Sequence, residues 1–180
     1  MQKCVARFNR ARLKYVGDPE RDRSEDRMMA KAPTADDLLK IDNFICFALY
    51  SAGHAFTRLY KPLLDPLGLT YPQYLVMAVL WEKDGRTVGE IGEKLLLESS
   101  TLTPLLKRLE TAGMVRRTRD QDDERVVRIL LTPKGAALKQ RAAEIPQAIG
   151  CATNITIPEV MKLTTEIKEL RAKLLAAQAA

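Results

Sequence analysis

The sequence predicts a mainly α-helical protein that carries one small β-hairpin. Three observations support this fold class. Apolar residues recur at helical spacing in several segments after residue 40. Two β-prone runs flank an acidic loop between residues 115 and 131. Glycine or proline lies between the predicted elements. At 180 residues the chain is long enough for one domain with a sizeable core and extra terminal helices.

The first predicted helix begins at Asp42, which can cap it, and runs as NFICFALYSAGHAFTRLYKPLL until Pro62, Pro66 and Gly68 signal its end. Its apolar residues lie on more than one side, as expected if a second subunit covers one of them. A second helix, Tyr71 to Trp81, is predicted to lie in the core.

A pair of short helices follows. Val88 to Leu96 forms an amphipathic supporting helix, and the polar break from Glu98 to Thr101 is rich in N-cap residues. A second helix then runs to Gly113, and Pro104 fits it only in the first turn. The inward faces of the two helices are predicted to consist of Val88, Ile91, Leu95, Leu96, Leu102, Leu105, Leu106 and Leu109.

With its leucines inward, the second helix of this pair turns hydroxyl and cationic side chains to solvent. Short hydroxyls can reach base edges, and cations can reach phosphates. We predict that DNA is contacted by Ser99, Ser100, Thr101, Thr103, Lys107 and Arg108.

The β-prone runs Val115 to Arg119 and Arg125 to Leu131 predict a hairpin whose arginines can enter the negative minor groove. We predict DNA contacts for Arg117, Asp123 and Arg125, with Asp123 pairing with Arg125 and fixing its direction. Helix, turn, helix and hairpin in this order predict a winged helix-turn-helix that binds double-stranded DNA and is not an enzyme. The alternative is a surface of ordinary solvated charges.

Two further helices are predicted after the hairpin, from Pro133 toward Ile149 with a break near Pro146, and from Ile157 to Leu175. They exceed what a winged domain needs, so we assign them to a helical dimer interface. The predicted plan is a disordered basic tail at 1–35 and a winged-helix domain at 36–180. Within that domain the DNA-binding part covers about 70–132, and the dimerisation helices cover about 42–65 and 133–178.

Net charge is weak evidence for a nucleic-acid partner. The chain has a formal charge of +6, from 29 basic and 23 acidic residues, but its first 31 residues hold nine of the basic and five of the acidic ones. The remaining 20 basic and 18 acidic residues nearly balance. The tail has no sustained period apart from a possible short helix at Val5 to Tyr15, and Met28 or Met29 offers an alternative start. A DNA-grasping basic arm is a further alternative for it.

The sequence predicts neither a metal site nor a cofactor. Cys4, Cys46 and Cys151 form no close ligand cluster, and the lone His54 has no convincing partner for one. No apolar run reaches the length of a membrane span, and the tail lacks the apolar core of a secretory signal. We therefore expect a cytoplasmic protein whose thiols start reduced.

Two segments resemble the MarR family of transcriptional regulators. The run D-x-R-x-x-x-I-x-L-T, from Asp123 to Thr132, is similar to the wing signature of that family, and LTPLLKRLETAGMV is similar to its recognition helix. The resemblance extends from about Asp42 to the C-terminus. It implies a dimeric winged-helix repressor that binds a near-palindromic operator.

Cys46 is a candidate reactive thiol. If Asp42 caps the first helix, Cys46 lies near the end of its first turn, where unpaired backbone N–H groups stabilise a thiolate. Tyr50 lies one turn further along the same face, and its phenol can donate a hydrogen bond to the sulfur. The alternative is that Cys46 is a small buried hydrophobe.

A second resemblance favours the reactive thiol. D-N-F-I-C-F-A-L-Y-S-A, followed by Y-K-P-L-L and T-Y-P-Q-Y, is similar to the organic hydroperoxide resistance regulators (OhrR) of the MarR family. The resemblance implies that Cys46 reacts with peroxide, that Tyr60 and Tyr71 donate hydrogen bonds to it, partly across the dimer, and that Tyr50 belongs to the same pocket. Cys151 resembles the resolving cysteine of the two-cysteine type, which implies a disulfide to the partner subunit.

The sequence therefore predicts a homodimeric repressor that releases its operator when an organic hydroperoxide oxidises Cys46 and a disulfide forms with Cys151. A pocket lined by Phe44, Phe47, Tyr60 and Tyr71 would favour apolar peroxides. Two alternatives remain open. One is a repressor released by a reversibly bound phenolic or lipophilic ligand, and the other is a thiol peroxidase, which has no use for the winged segment.

Overall fold

The computed structural model describes residues 34–120, 123 and 125–178, and the chain divides into two compact units, Met1–Leu59 and Tyr60–Ala180. Residues 1–33 of the predicted tail, and the features predicted within them, lie outside the described residues. In the first unit, helix α1 (Ala35–Leu38) is capped by Thr34, and a 3₁₀ turn covers Ile41–Asn43. Helix α2 (Ile45–Leu64) begins in the first unit and continues into the second.

The predicted start of the first long helix is wrong, whereas its predicted end at Leu64 is confirmed. Asp42 lies in the 3₁₀ turn, and the carbonyl of Phe44 accepts the first helical bond, from the Ala48 N–H at 3.0 Å. Pro62 lies inside α2, which continues to Leu64. Because Arg58 is exposed, water can hydrate the carbonyl that Pro62 leaves without its helical donor.

The second unit continues with further helices in chain order. After a 3₁₀ turn at Asp65–Leu67, Gly68 reverses the chain with φ of 67°. The helices that follow are α3 (Tyr71–Glu82), α4 (Val88–Leu95), α5 (Ser99–Thr111), α6 (Pro133–Ala142), α7 (Ile145–Thr153) and α8 (Ile157–Gln178).

The sheet contains the predicted hairpin and one strand more. Strand β2 (Val115–Arg119) pairs antiparallel with β3 (Val127–Leu131), and the two-residue strand β1 (Arg86–Thr87) pairs with the other edge of β3. Strand β3 begins at Val127 and not at Arg125, since Arg125 belongs to the turn. A two-residue strand carries no alternation of its own, so β1 was missed.

The core lies in the second unit, where α3, α4, α5 and the sheet pack together. Val76, Met77 and Leu80 of α3 meet Ile91 of α4, all at most 1% exposed, and Ile129 of β3 is fully buried. The predicted inward face of α5 is confirmed because Leu102, Leu105, Leu106 and Leu109 are all buried. Burial of each leucine contributes about 1.5 to 3 kcal/mol.

Leu96 departs from the predicted inward face of the supporting helix. It is 58% exposed and has a φ of 55°, in the left-handed region. Helix α4 ends one residue earlier, at Leu95, so the chain has already turned away from the core at Leu96.

The expectation that Pro104 lies in the first turn of its helix is also wrong. Glu98 precedes the first turn, and its carbonyl accepts the Leu102 N–H at 2.9 Å, so Ser99 to Thr101 are already helical and Pro104 is the sixth residue of α5. Pro104 deprives the Ser100 carbonyl of its helical donor, at a cost of about 3 kcal/mol. Because Ser100 is exposed, water can hydrate this carbonyl, and burial of the leucines offsets the cost.

The helices after the sheet differ in burial. The predicted break near Pro146 is confirmed, since α6 ends at Ala142 and α7 starts at Ile145. Helix α8 contains no buried residue. Its apolar side chains face solvent at Val160, Leu163, Ile167 and Leu174.

Among the described residues, no helix combines the length and apolarity that crossing a bilayer requires.

The close packing of Gly135 against the Met114 carbonyl predicts a strong effect of Gly135→Ala. A Cβ at Gly135 would lie 2.0 Å from the carbonyl oxygen of Met114, so α6 must move away from the end of α5. We expect the free energy of unfolding to fall by about 1 to 3 kcal/mol. Gly150→Ala is the control, because nothing lies within 4 Å of its Cβ position and alanine favours a helix by up to about 1 kcal/mol. Urea denaturation of both variants checks this, and equal stabilities would contradict it.

Candidate DNA interface and thiol site

The turn between α4 and α5 sets the angle at which α5 is presented. The Leu97 N–H donates to the Gly92 carbonyl at 2.9 Å, which closes the turn over the end of α4. A Cβ at Gly92 would lie 2.8 Å from the Leu97 carbonyl oxygen, so the turn needs glycine there. Ile91 and Leu102, both fully buried, anchor the two helices on either side.

The outer face of α5 carries the six polar residues that the sequence assigned to DNA contact. Ser99, Ser100, Thr101, Thr103, Lys107 and Arg108 are all exposed. The helix therefore presents four hydroxyls and two cations on the side opposite its buried leucines. This chemistry suits base edges and phosphates.

The tip of the hairpin, the wing, presents Arg125 at the surface. The Asp123 carboxylate accepts the backbone N–H of Arg125 at 2.9 Å, and the Asp123 carbonyl accepts the Val126 N–H at 2.9 Å. The predicted pairing of Asp123 with Arg125 is thus a contact to the backbone, which shapes the turn from which Arg125 projects. Arg125 itself is exposed.

Arg117 differs from the other predicted DNA contacts because its side chain turns back onto α5. Its guanidinium meets the Glu110 carboxylate, with Nε 3.2 Å from Oε2, and donates from Nη2 to the Thr103 carbonyl at 3.3 Å. Arg117 is therefore bound to α5, whereas Arg125 is exposed to solvent.

The base of the wing is held by contacts that the sequence did not predict. Arg128 pairs with Asp120 and donates to the Gly85 carbonyl at 3.0 Å. The Asp84 carboxylate accepts the Leu131 N–H at 2.9 Å and the Gly85 N–H at 2.8 Å. The Asp84–Gly85 pair could have indicated this turn from the sequence, because aspartate before glycine is typical of turns.

The C-terminal end of α5 is held by the start of α6. The Thr132 hydroxyl donates to the Gly113 carbonyl at 2.7 Å, and Lys134 Nζ donates to the Ala112 carbonyl at 2.8 Å. The last carbonyls of a helix lack hydrogen-bond donors within the helix. The Thr132 and Lys134 side chains supply such donors at the end of α5. Sequence reasoning missed this role of Thr132 and Lys134.

Cys46 is the second residue of α2 and is exposed. The alternative that it is a buried hydrophobe is therefore wrong for this chain by itself. The N–H groups of the first turn precede the first helical bond, so they remain available to an anion beside the thiol. Tyr50 is 64% exposed, and its ring meets His54 edge-on with centroids 4.4 Å apart.

The second unit holds a cluster of three tyrosines. The Tyr60 ring lies 4.8 Å from that of Tyr71 and 5.9 Å from that of Tyr74, measured between centroids. Burial raises the pKa of all three phenols, and for Tyr60 the neighbouring Tyr71 and Tyr74 raise it further. At neutral pH these phenols are protonated and can donate hydrogen bonds.

Cys151 is also exposed and lies in the last turn of α7, which ends at Thr153. Cys46 belongs to the first unit and Cys151 to the second. Their pairing stays a prediction. Within the part of the chain that the structure describes, no group of three or more His, Cys, Asp or Glu side chains could hold a metal ion.

The helix-turn-helix, the wing and the polar outer face of α5 together define the class as winged helix-turn-helix. A family model described as the transcriptional regulator SarA/Rot matches residues 58–142.

Two relatives are each 50% identical to this chain. The HTH-type transcriptional regulator TtmR of Methylorubrum extorquens aligns over 139 residues, 77% of this chain and 71% of its own. The organic hydroperoxide resistance transcriptional regulator of Bacillus subtilis aligns over 113 residues, 63% of this chain and 77% of its own.

Solved structures of AbfR from Staphylococcus epidermidis share the fold. Reduced AbfR bound to DNA matches with a TM-score of 0.66 and 32% identity, covering 80% of this chain and 99% of that one. Disulfide-formed AbfR matches with a TM-score of 0.55 and 33% identity, covering 83% and 97%.

The chain therefore belongs to the MarR family of transcriptional regulators and, within it, to the organic hydroperoxide resistance regulators.

The raised pKa values of the tyrosine cluster predict a stability loss in alkali. The unfolded chain ionises near the ordinary tyrosine value of 10.0, before the folded chain does. The free energy of unfolding should be unaffected by these groups below pH 10 and fall as pH rises above it. Denaturation between pH 8 and 11, and absorbance titration of the phenolates, measure this.

Tyr60→Phe should make the decline shallower and remove one tyrosine from the late-titrating phase. Tyr71→Phe should shift the Tyr60 titration to lower pH, since Tyr71 adds to its raised pKa. A titration of wild type with no phase above pH 10 would contradict the cluster as described.

Proposed function

We propose that this protein is a homodimeric, redox-sensing repressor that releases operator DNA when an organic hydroperoxide oxidises Cys46. The observation that carries the proposal is the exposed thiol on the first turn of α2, in a chain 50% identical to an organic hydroperoxide resistance regulator. The expected place of action is the cytoplasm, where thiols start reduced.

The DNA-binding part of the proposal rests on the exposed face of α5 and the tip of the wing. In a dimer, two α5 helices would enter successive major grooves, with each Arg125 at a flanking minor groove. Reduced AbfR, which shares this fold, was solved bound to DNA. The contacts proposed for this chain are Ser99, Ser100, Thr101, Thr103, Lys107, Arg108 and Arg125, with Asp123 shaping the tip.

The dimer rests on apolar surface that the single chain leaves exposed. On α2 the exposed apolar side chains include Ile45, Phe47 and Phe56, and on α8 they include Val160, Leu163, Ile167 and Leu174. Apolar surface that a single chain leaves exposed along a helix marks an interaction site in a globular protein. A second copy of the same helices would cover it, which agrees with the predicted dimerisation helices.

The proposed chemistry begins at the Cys46 sulfur. The thiolate attacks the distal peroxide oxygen, the O–O bond breaks, and the alkoxide leaves as an alcohol after taking a proton. The sulfenic acid then condenses with the Cys151 thiol of the partner subunit, which forms a disulfide and releases water. Tyr50, Tyr60 and Tyr71 would serve as hydrogen-bond donors to the sulfur and the leaving oxygen.

Release of DNA would follow from the position of Cys151 on α7. Helix α7 continues from α6, and Thr132 and Lys134 at the start of α6 hold the end of α5. A disulfide that moves α7 would therefore shift α5. The two half-sites on a duplex tolerate little change in the separation of the two α5 helices. The oxidised dimer would therefore lose its preference for the operator.

Substitution of the cysteines tests the proposal. The probe is a duplex that the reduced wild-type protein selects from a random library, used in mobility shifts with and without cumene hydroperoxide. We expect peroxide to release the wild-type protein but not Cys46→Ser, and to give a cross-linked dimer on non-reducing gels that Cys151→Ser lacks.

Other outcomes point to the alternatives. Release that survives Cys46→Ser would favour a reversibly bound ligand, and repeated turnover in a dithiol-coupled assay would favour a thiol peroxidase. Failure to select any duplex would reject the repressor itself.

Arg125→Ala tests the wing separately. Loss of a groove contact should weaken operator binding by about 1 to 3 kcal/mol at fixed salt. The matched control is Arg116→Ala, which removes an exposed arginine from strand β2 of the same hairpin. Equal affinities of the two variants would remove Arg125 from the interface.

A further inference from the structure

Glu110 and Arg117 connect the recognition helix to the wing through three contacts. The backbone N–H of Arg117 donates to Glu110 Oε1 at 3.1 Å, its Nε lies 3.2 Å from Oε2, and its Nη2 reaches the Thr103 carbonyl at 3.3 Å. Both carboxylate oxygens are therefore used. Arg117 joins β2 to two points of α5 that lie about two turns apart.

This arrangement differs from an ordinary surface ion pair. Exposed pairs contribute little because they order two flexible side chains in water. Here the carboxylate also binds a backbone amide, which has no rotamers to lose, and the guanidinium is only 31% exposed. Two hydrogen bonds, at 3.1 and 3.3 Å, hold Arg117 against α5, and Nε adds an ion pair at 3.2 Å in which it makes no hydrogen bond.

The contact closes an open edge of the sheet. Strand β2 lies at the edge, since the strand order is β1-β3-β2. The Arg117 N–H donates outward from this edge, and Glu110 accepts it. The edge strand of the wing is thus bonded to the helix that faces DNA.

We propose that Glu110 is a positioning residue for operator binding, which holds Arg117 and the wing at a fixed angle to α5. Arg117 then acts through Glu110 and is not a DNA contact. This inference rests on the proposed DNA-binding function.

Electrostatics and positioning predict opposite changes in DNA affinity for Glu110→Gln. Removal of a carboxylate from a DNA-facing helix should strengthen binding if charge alone decides, because phosphates repel it. If Glu110 positions the wing, the same change should weaken binding, by about tenfold, which corresponds to 1.4 kcal/mol.

A double-mutant cycle with Arg117 tests the mechanism. Affinities of wild type, Glu110→Gln, Arg117→Gln and the double variant are measured on the duplex that the wild-type protein selects. If Arg117 acts through Glu110, Arg117→Gln adds no further loss in the Glu110→Gln background. Arg116→Gln is the control, since it removes the neighbouring arginine of the same strand, whose side chain is exposed.

Hydroxyl-radical footprints of the same variants supply a readout that a fold defect would not give. We expect Glu110→Gln to lose protection at the flanking minor grooves while the central major-groove contacts persist. Thermal unfolding of each variant shows whether the fold is intact.

Unchanged or tighter binding by Glu110→Gln would overturn the inference and leave the repressor standing. Arg117 would instead be a DNA contact if Arg117→Gln weakened binding equally with and without Glu110→Gln. The salt dependence of the affinity should then become shallower by about one phosphate contact. Absence of any selected duplex would instead reject the proposed function.

Discussion

Burial of one leucine face of α5 is the constraint on which the rest of the second unit depends. Leu102, Leu105, Leu106 and Leu109 are all buried, and a helix that buries one face must turn the opposite one outward. The hydroxyls and cations on that outer face are therefore presented together. The same burial offsets the cost of Pro104 within the helix.

Polar contacts then fix where this helix points. The start of α6 satisfies the last carbonyls of α5 through Thr132 and Lys134, and Glu110 carries the wing through Arg117. Trp81 of α3 adds a third link, since its indole N–H donates to the Gly135 carbonyl at 3.0 Å. The contacts of Thr132, Lys134 and Arg117 join α5 to elements that follow it, whereas Trp81 joins α3 to α6. A displacement of α6 would therefore act on α5 through Thr132 and Lys134.

The helices outside this core expose apolar side chains instead of burying them. Helix α8 and most of α2 leave apolar side chains in solvent, and the exposed cysteines lie on α2 and α7. A helix in water gains most of its stability from packing, so these helices need a surface that one chain does not provide. In the proposed dimer, the same association that buries these faces brings the two thiols within reach.

The sequence by itself determined the order of the elements, the buried face of α5, its exposed polar residues and the hairpin, because helical and strand periodicities are local. It also indicated the family through its wing and cysteine segments. It misplaced the start of α2, Pro104 and Leu96, since a cap or a left-handed residue depends on which of several polar neighbours the chain bonds. Only the tertiary structure decided that Arg117 turns back onto Glu110 while Arg125 projects, because a charge pattern does not specify which partner folding brings within 3.2 Å.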